Sequence, residues 1–126
     1  MIDIDLPERL LRGLWSCVLE TETDGEFSAR PEHLAAAGAL MDLLVRPPMT
    51  PRAVADLRLG PTPGVAGHWR LSLSPVAHDT AVESVRHIVE LIRDRAFGNW
   101  EVPIRLLVTV DEFHSLCSAM GVDPQG

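Results

Sequence analysis

The chain has 126 residues, of which 46% are hydrophobic and 23% charged, as is typical of one folded domain rather than of a disordered segment. Its net charge is −7, and residues 1–42 hold most of the acidic excess, which disfavours a nucleic-acid surface. The same charge would suit a basic protein partner, but solubility alone is the simpler interpretation. All 11 basic residues are arginines and tyrosine is absent, which excludes a P-loop lysine, a Schiff-base lysine and a catalytic phenol.

Two helices are predicted in the first third of the chain. Asp5 is a suitable cap for the first helix, because apolar residues recur at helical spacing soon after it. The stretch 20–26 that follows is acidic and contains glycine, so we expect an exposed, mobile loop. Pro31 is predicted to begin the second helix, which should end at Pro47 and Pro48.

An antiparallel hairpin is predicted in the middle of the chain. Residues 50–59 are ambiguous, because apolar residues alternate as in a strand while Thr50 could instead cap a short helix. We favour the strand, since the prolines and glycines of 60–64 indicate a turn and residues 68–74 alternate clearly.

The longest predicted helix covers residues 80–97. It begins with a capping box, and Gly98 is a suitable residue for its C-terminal cap. Its apolar stripe is predicted to pack on the sheet and carry the core, with Val85 and Val89 nearly fully buried.

A strand at residues 103–110 and a last helix from Asp111 to Met120 complete the prediction, with a frayed tail at residues 123–126. The expected fold is α+β, with residues 1–126 forming a single domain. Its three-stranded mixed sheet combines the antiparallel hairpin with a crossover strand and packs against about four helices, in the order α-α-β-β-α-β-α.

No cofactor or metal site is predicted. Cys17 and Cys117 lie far apart in apolar helical patterns, so we expect reduced, buried thiols. His114 shares a helix face with Cys117, but no second His/Cys cluster supplies the remaining ligands of a zinc site. Residues 1–5 carry acids where a signal peptide needs bases, and no apolar run is long enough to span a bilayer. We therefore expect a cytoplasmic protein without membrane contact.

Four residues are weak candidates for catalysis. His78 and Asp79 are predicted between a strand and a helix, and Asp111 and Glu112 follow the next strand in the equivalent position. If the two strands were parallel neighbours, these residues would share one sheet edge and could perform general acid–base chemistry. Capping and solvent exposure are the simpler interpretation of the same residues.

Two features indicate binding to a partner protein. Glu20, Glu22, Asp24 and Glu26 concentrate negative charge in the predicted loop, where nothing in the predicted fold requires it. Trp100 lies in a second predicted loop, where it would either plug the edge of the core, the interpretation we favour, or stand exposed as a binding anchor.

The leading functional hypothesis is a non-enzymatic, small acidic interaction module, such as a bacterial accessory, immunity or regulatory protein that binds another protein. One alternative is a small enzyme that uses the four sheet-edge residues. The other is a small-ligand binder with a pocket between a helix and the sheet.

Overall fold

The structure, a computed structural model, describes residues 1–44 and 50–125. These residues confirm the α+β class and form a four-stranded sheet in the order β1-β4-β3-β2. The strands are β1 (Ile2–Pro7), β2 (Arg52–Val54), β3 (Leu57–Pro61) and β4 (His68–Leu73).

The α-helices of the described residues are α1 (Glu8–Thr23), α2 (Pro31–Leu44), α3 (Pro75–Arg93) and α4 (Val110–Ala119). Shorter 3₁₀ turns occupy Glu26–Ala29 and Asn99–Glu101, and a π-helix occupies Val102–Leu106. Pro31 begins α2 as predicted. The predicted end of α2 at Pro47 and Pro48, and the final residue of the predicted tail, lie outside the described residues.

The predicted crossover strand at 103–110 is wrong, and with it the mixed sheet. All strand pairs among the described residues are antiparallel. The apolar alternation that suggested a strand does not mark one face, because Ile104 is 66% exposed while Leu106 and Val108 are buried. The segment instead forms the π-helix, and Leu107 ends it in the left-handed region with a φ of 63°.

The strand β1 lies at the N-terminus, where no strand was predicted. Asp5 does not cap α1, because it lies on β1 opposite Arg70 of β4 and pairs with that residue's guanidinium at 2.8 Å. Pro7 occupies the N-cap position of α1 without a side-chain hydrogen bond. The pairing of β1 with β4 places Leu6 on the buried face of the sheet and the acidic residues of β1 on the opposite, solvent-facing side.

The ambiguous stretch 50–59 is a hairpin in itself. β2 and β3 pair antiparallel, and Ala55 adopts a φ of 52° in the turn between them. The predicted hairpin of β3 with β4 is confirmed, with Leu59 opposite Leu71. The helix α2 packs against β2 and β3, and α1 packs against β1. The prediction that α3 packs on the sheet is wrong in the main, because α3 packs chiefly against α1 and α2.

The boundaries of α3 and α4 differ from the prediction because other residues cap them. Ser74 Oγ accepts a hydrogen bond from the Ala77 N–H, so α3 begins before Thr80, which is itself buried inside the helix. Thr109, rather than Asp111, caps α4 in a reciprocal capping box with Glu112. Arg93, rather than the residue before Gly98, is the last residue of α3.

The core of the domain forms around α1, which packs against α2, α3 and α4. Val85 and Val89 of α3 are 0% and 3% exposed, which confirms the predicted buried face. Gly13 of α1 lies close to Val108, since a Cβ at position 13 would come within 3.1 Å of Val108 Cγ1. The absence of a side chain at Gly13 therefore allows α1 and the segment before α4 to approach closely.

Both cysteines are fully buried and are free thiols. Burial raises the pKa of the Cys117 thiol to about 11 and also raises the pKa of Cys17. Since the thiolate is the reactive form, neither thiol is expected to react with an aromatic disulfide reagent in native protein at pH 8, whereas both should react in denaturant. Fast modification of one thiol in the native protein, followed by absorbance, would contradict this burial.

Within the two described ranges, no helix combines the length and the apolar character that a membrane span requires.

Candidate functional site

The predicted acidic loop at 20–26 is wrong, because most of it is helical. Glu20 and Glu22 belong to the last turns of α1, and Asp24 is the C-cap residue of that helix. Glu26 begins the 3₁₀ turn that follows Gly25, whose φ is 79°. The acids therefore lie on defined backbone rather than on a mobile loop.

Two of these acids have partners in the fold. Glu20 accepts hydrogen bonds from Arg105, the shorter being 2.6 Å from Nη2 to Oε2. Asp24 lies 2.8 Å from Nε2 of His87 on α3. The expectation that nothing in the fold requires these charges is therefore wrong for Glu20 and Asp24.

Arg105 ties the end of α1 to the segment that carries Trp100. Besides Glu20, its guanidinium donates to Glu101 at 3.1 Å and lies 4.6 Å from the centroid of the Phe97 ring. The Gly98 N–H also donates to Glu101, and this bond and Arg105 lower the pKa of that carboxyl. The segment 97–105 is thus anchored on both sides by charge-assisted contacts.

Trp100 is 71% exposed, so the favoured interpretation of this residue as a plug of the core is wrong. Its indole lies against the backbone of Gly98, where a Cβ would come within 2.6 Å of Trp100 Nε1. Only glycine at position 98 admits this contact without a shift of the ring. The exposed indole therefore lies against the Gly98 backbone on one side.

Two more large apolar side chains stand out on the same helical segment. Ile104 is 66% exposed and Leu107 is 56% exposed. Trp100 lies in the 3₁₀ turn Asn99–Glu101, Ile104 in the π-helix that follows and Leu107 directly after it, and we call these three exposed residues the Trp100 patch. By the usual areas of such side chains, the patch exposes on the order of a few hundred Å² of apolar surface, a size at which exposed patches are often functional.

The four candidate catalytic residues are not brought to one sheet edge. His78 and Asp79 are the fourth and fifth residues of α3, and a π-helix rather than a strand precedes Asp111 and Glu112 of α4. Arg9 holds Glu112, and hydrogen bonds from Arg9 and from the Thr109 N–H lower the pKa of Glu112 to about 2. Among the described residues, no hydrogen bond or ion pair joins the first two candidates to the last two.

A charged cavity of about 220 Å³ lies between the end of α1, the 3₁₀ turn, the start of α2 and the middle of α3. Its lining residues are Thr21, Glu26, Phe27, Arg30, His33, Glu83, His87 and Glu90. Except for Glu26, the sequence analysis selected none of them. One feature of the sequence could have indicated this cavity: the helical spacing that places Glu83, His87 and Glu90 on one face of α3.

Across residues 1–44 and 50–125, no three His, Cys, Asp or Glu side chains converge on a point where a metal ion could be held. His114 is half-buried beside the fully buried Cys117 on α4.

The fold and its surfaces together define a small α+β domain with an anchored, exposed aromatic patch and a separate charged cavity. Comparison of the chain with protein-family models, with curated proteins and with solved structures gave no significant match.

Proposed function

We propose that this domain is a non-enzymatic interaction module that docks a basic protein partner through the Trp100 patch. The observation that carries the proposal is an indole that is 71% exposed and lies against the backbone of Gly98. Exposed tryptophans are over-represented among the residues that dominate binding energies at protein interfaces. A ring that is already positioned loses little conformational freedom when a partner covers it.

The charges beside the patch supply the expected chemistry of the partner. Glu20 and Glu101 share the single cation of Arg105, so this cluster keeps an excess of negative charge. Glu22 and Glu26 lie near the same end of α1. A partner with an apolar cleft and a basic rim would match both features, and its association would be accelerated by the opposite charges.

The size and charge of the surface favour a different protein over a second copy of this chain. A stable interface buries about 800 Å² on each partner, which is more than the Trp100 patch exposes. A second copy would also carry the same charge of −7, and the two would repel. Sedimentation that showed a stable dimer held through Trp100 would contradict this part of the proposal.

The experiment compares proteins captured from the native host by the parent domain and by Trp100→Ala. Val65→Ala is the matched control, because Val65 is an exposed apolar residue in the turn near Gly67, whose carbonyl accepts from the Glu8 N–H. That turn adjoins the opposite end of α1 from Glu20, about 18 Å away along the helix. We expect the parent and the control to capture a basic protein that Trp100→Ala does not capture. Equal capture by all three proteins would show that the Trp100 patch is not the docking surface.

A second variant tests the positioning of the indole. Gly98→Ala would force the ring away from its contact, and we expect it to weaken binding of the captured partner while the melting temperature changes little, since Trp100 is outside the core. Measured by surface plasmon resonance, unchanged affinity would show that the anchored position is not used.

The acidic residues are tested by the association rate. Replacing Glu22 and Glu26 by Gln should slow association at low salt and have little effect at high salt, because screening removes the same attraction. The Glu20 carboxylate is left in place, since it holds Arg105 beneath the patch. Equal rates for parent and variant at low salt would mean that these acids serve only solubility.

A further inference from the structure

The cavity at the end of α1 shares none of its lining residues with the Trp100 patch, although Glu26 belongs both to this lining and to the acidic residues beside the patch. Its walls come from separate parts of the chain, with Thr21, Phe27 and His33 on one side and Glu90 of α3 on the other. Such a cleft between helices is a common location for a small-molecule site.

The charged groups in the cavity are only partly neutralised by the protein. Glu83 pairs with Arg86, and His87 is held by Asp24. By contrast, no ion pair with any described residue is formed by Arg30, Glu26 or Glu90. One guanidinium and two carboxylates, all on exposed side chains, therefore line the same small space without an ion-pair partner among the described residues.

A buried ring nitrogen and an apolar side chain are also found at the cavity. His33 is only 9% exposed, and its Nδ1 has no hydrogen-bond partner within residues 1–44 and 50–125. The described residues hold three further buried atoms of this kind, on Arg12, Trp15 and Glu22, and each such atom carries a desolvation cost. Phe27, whose ring centroid lies 6.1 Å from that of His33, contributes apolar surface beside it.

We infer that this cavity binds a small zwitterion of the size of an α-amino acid. Arg30 would pair with the ligand carboxylate, Glu90 and Glu26 would pair with its ammonium group, and Phe27 would border its hydrocarbon part. The volume of about 220 Å³ is below the roughly 300–1,000 Å³ of pockets for drug-sized ligands, which favours a molecule as small as an amino acid.

The charge pattern favours a zwitterion over ligands with a single charge. A simple anion would satisfy Arg30 but would approach two uncompensated carboxylates, and like charges at short distance repel. A simple amine would leave the guanidinium without a partner. A bound metal ion is disfavoured because the His and Glu donor atoms do not converge.

The first step of the test is a thermal-shift screen of the full-length chain with each protein amino acid at millimolar concentration. We expect at least one to raise the melting temperature, because a ligand that binds only the native state stabilises it. No shift with any of them would overturn the inference.

Matched analogues of the best ligand then separate the charges. If the best ligand has an aliphatic side chain, norvaline represents it in this set. The two analogues are pentanoate, which lacks the ammonium group, and butylamine, which lacks the carboxylate. Titration calorimetry should show binding of norvaline at least about tenfold tighter than of either analogue, a difference of about 1.4 kcal/mol. Equal binding of pentanoate would indicate an anion site and equal binding of butylamine a cation site, and either result would overturn the assignment.

Variants connect the binding to the cavity. Arg30→Gln and Glu90→Gln change exposed side chains without ion pairs, so both should fold and both should weaken the zwitterion about tenfold or more. Arg93→Gln is the control, because Arg93 is an exposed residue of α3 that does not line this cavity. If Arg93→Gln lowered the ligand affinity as much as the cavity variants, or if neither cavity variant lowered it, the ligand would bind elsewhere. Trp100→Ala should leave the ligand affinity unchanged, so this test and the docking test fail independently.

Discussion

Val89→Asp is expected to abolish or nearly abolish folding of the domain. Val89 is 3% exposed on the face of α3 that packs into the core. An aspartate there would place a charge in an apolar layer without a partner, at a cost of several kcal/mol against a total stability of about 5–15 kcal/mol. Urea unfolding followed by circular dichroism would measure the loss.

The matched control for this change lies on the same helix. Val76 is 42% exposed in the first turn of α3, so Val76→Asp introduces the same charge into solvent. A negative charge near a helix N-terminus is mildly favourable, and this variant should unfold at nearly the parental urea concentration. If Val89→Asp behaved like the control, the assignment of this face of α3 to the core would be wrong.

Phe97→Ala is the second change with a large expected effect. Phe97 is 1% exposed, and its ring packs beneath the Arg105 guanidinium at the base of the segment that carries Trp100. Truncation of a buried phenylalanine removes transfer free energy and leaves a cavity, which together lower stability by about 3–5 kcal/mol. We expect a loss of this size in the free energy of unfolding from urea titrations.

Trp100→Ala provides the comparison within the same segment. It removes a larger ring that is mostly exposed, so the free energy of unfolding should change by only about 0.5 kcal/mol. The smaller side chain, Phe97, would thus contribute more to the free energy of unfolding than the larger Trp100. A larger loss of stability for Trp100→Ala than for Phe97→Ala would show that the tryptophan belongs to the core after all.

Elements with strong local signals were predicted well from the sequence. The start of α2 at Pro31, the antiparallel pairing of β3 with β4 and the buried face of α3 each follow from a proline, a turn or a repeat within a few residues. Burial of the two cysteines followed in the same way from the apolar helical spacing around them.

Where two local signals competed, tertiary contacts decided between them. Ile2, Ile4 and Leu6 alternate with acids as in a strand, but Asp5 before Pro7 also has the composition of a helix cap. The choice depends on Arg70, which lies 65 positions away and pairs with Asp5 across the sheet. The strand was therefore visible in the alternation but could not be chosen without knowledge of its partner.

The candidate sites depend even more on the tertiary structure. The sequence by itself determined the α+β class, the acidic balance and the candidacy of Trp100 as a binding residue. Only the packing decided that Phe97 enters the core while Trp100 stays outside, and that Glu20 meets Arg105. The cavity likewise joins residues 21–33 to residues 83–90. Periodicity reports which face of a local segment is apolar, whereas a surface or cavity is assembled from segments whose encounter depends on the whole fold.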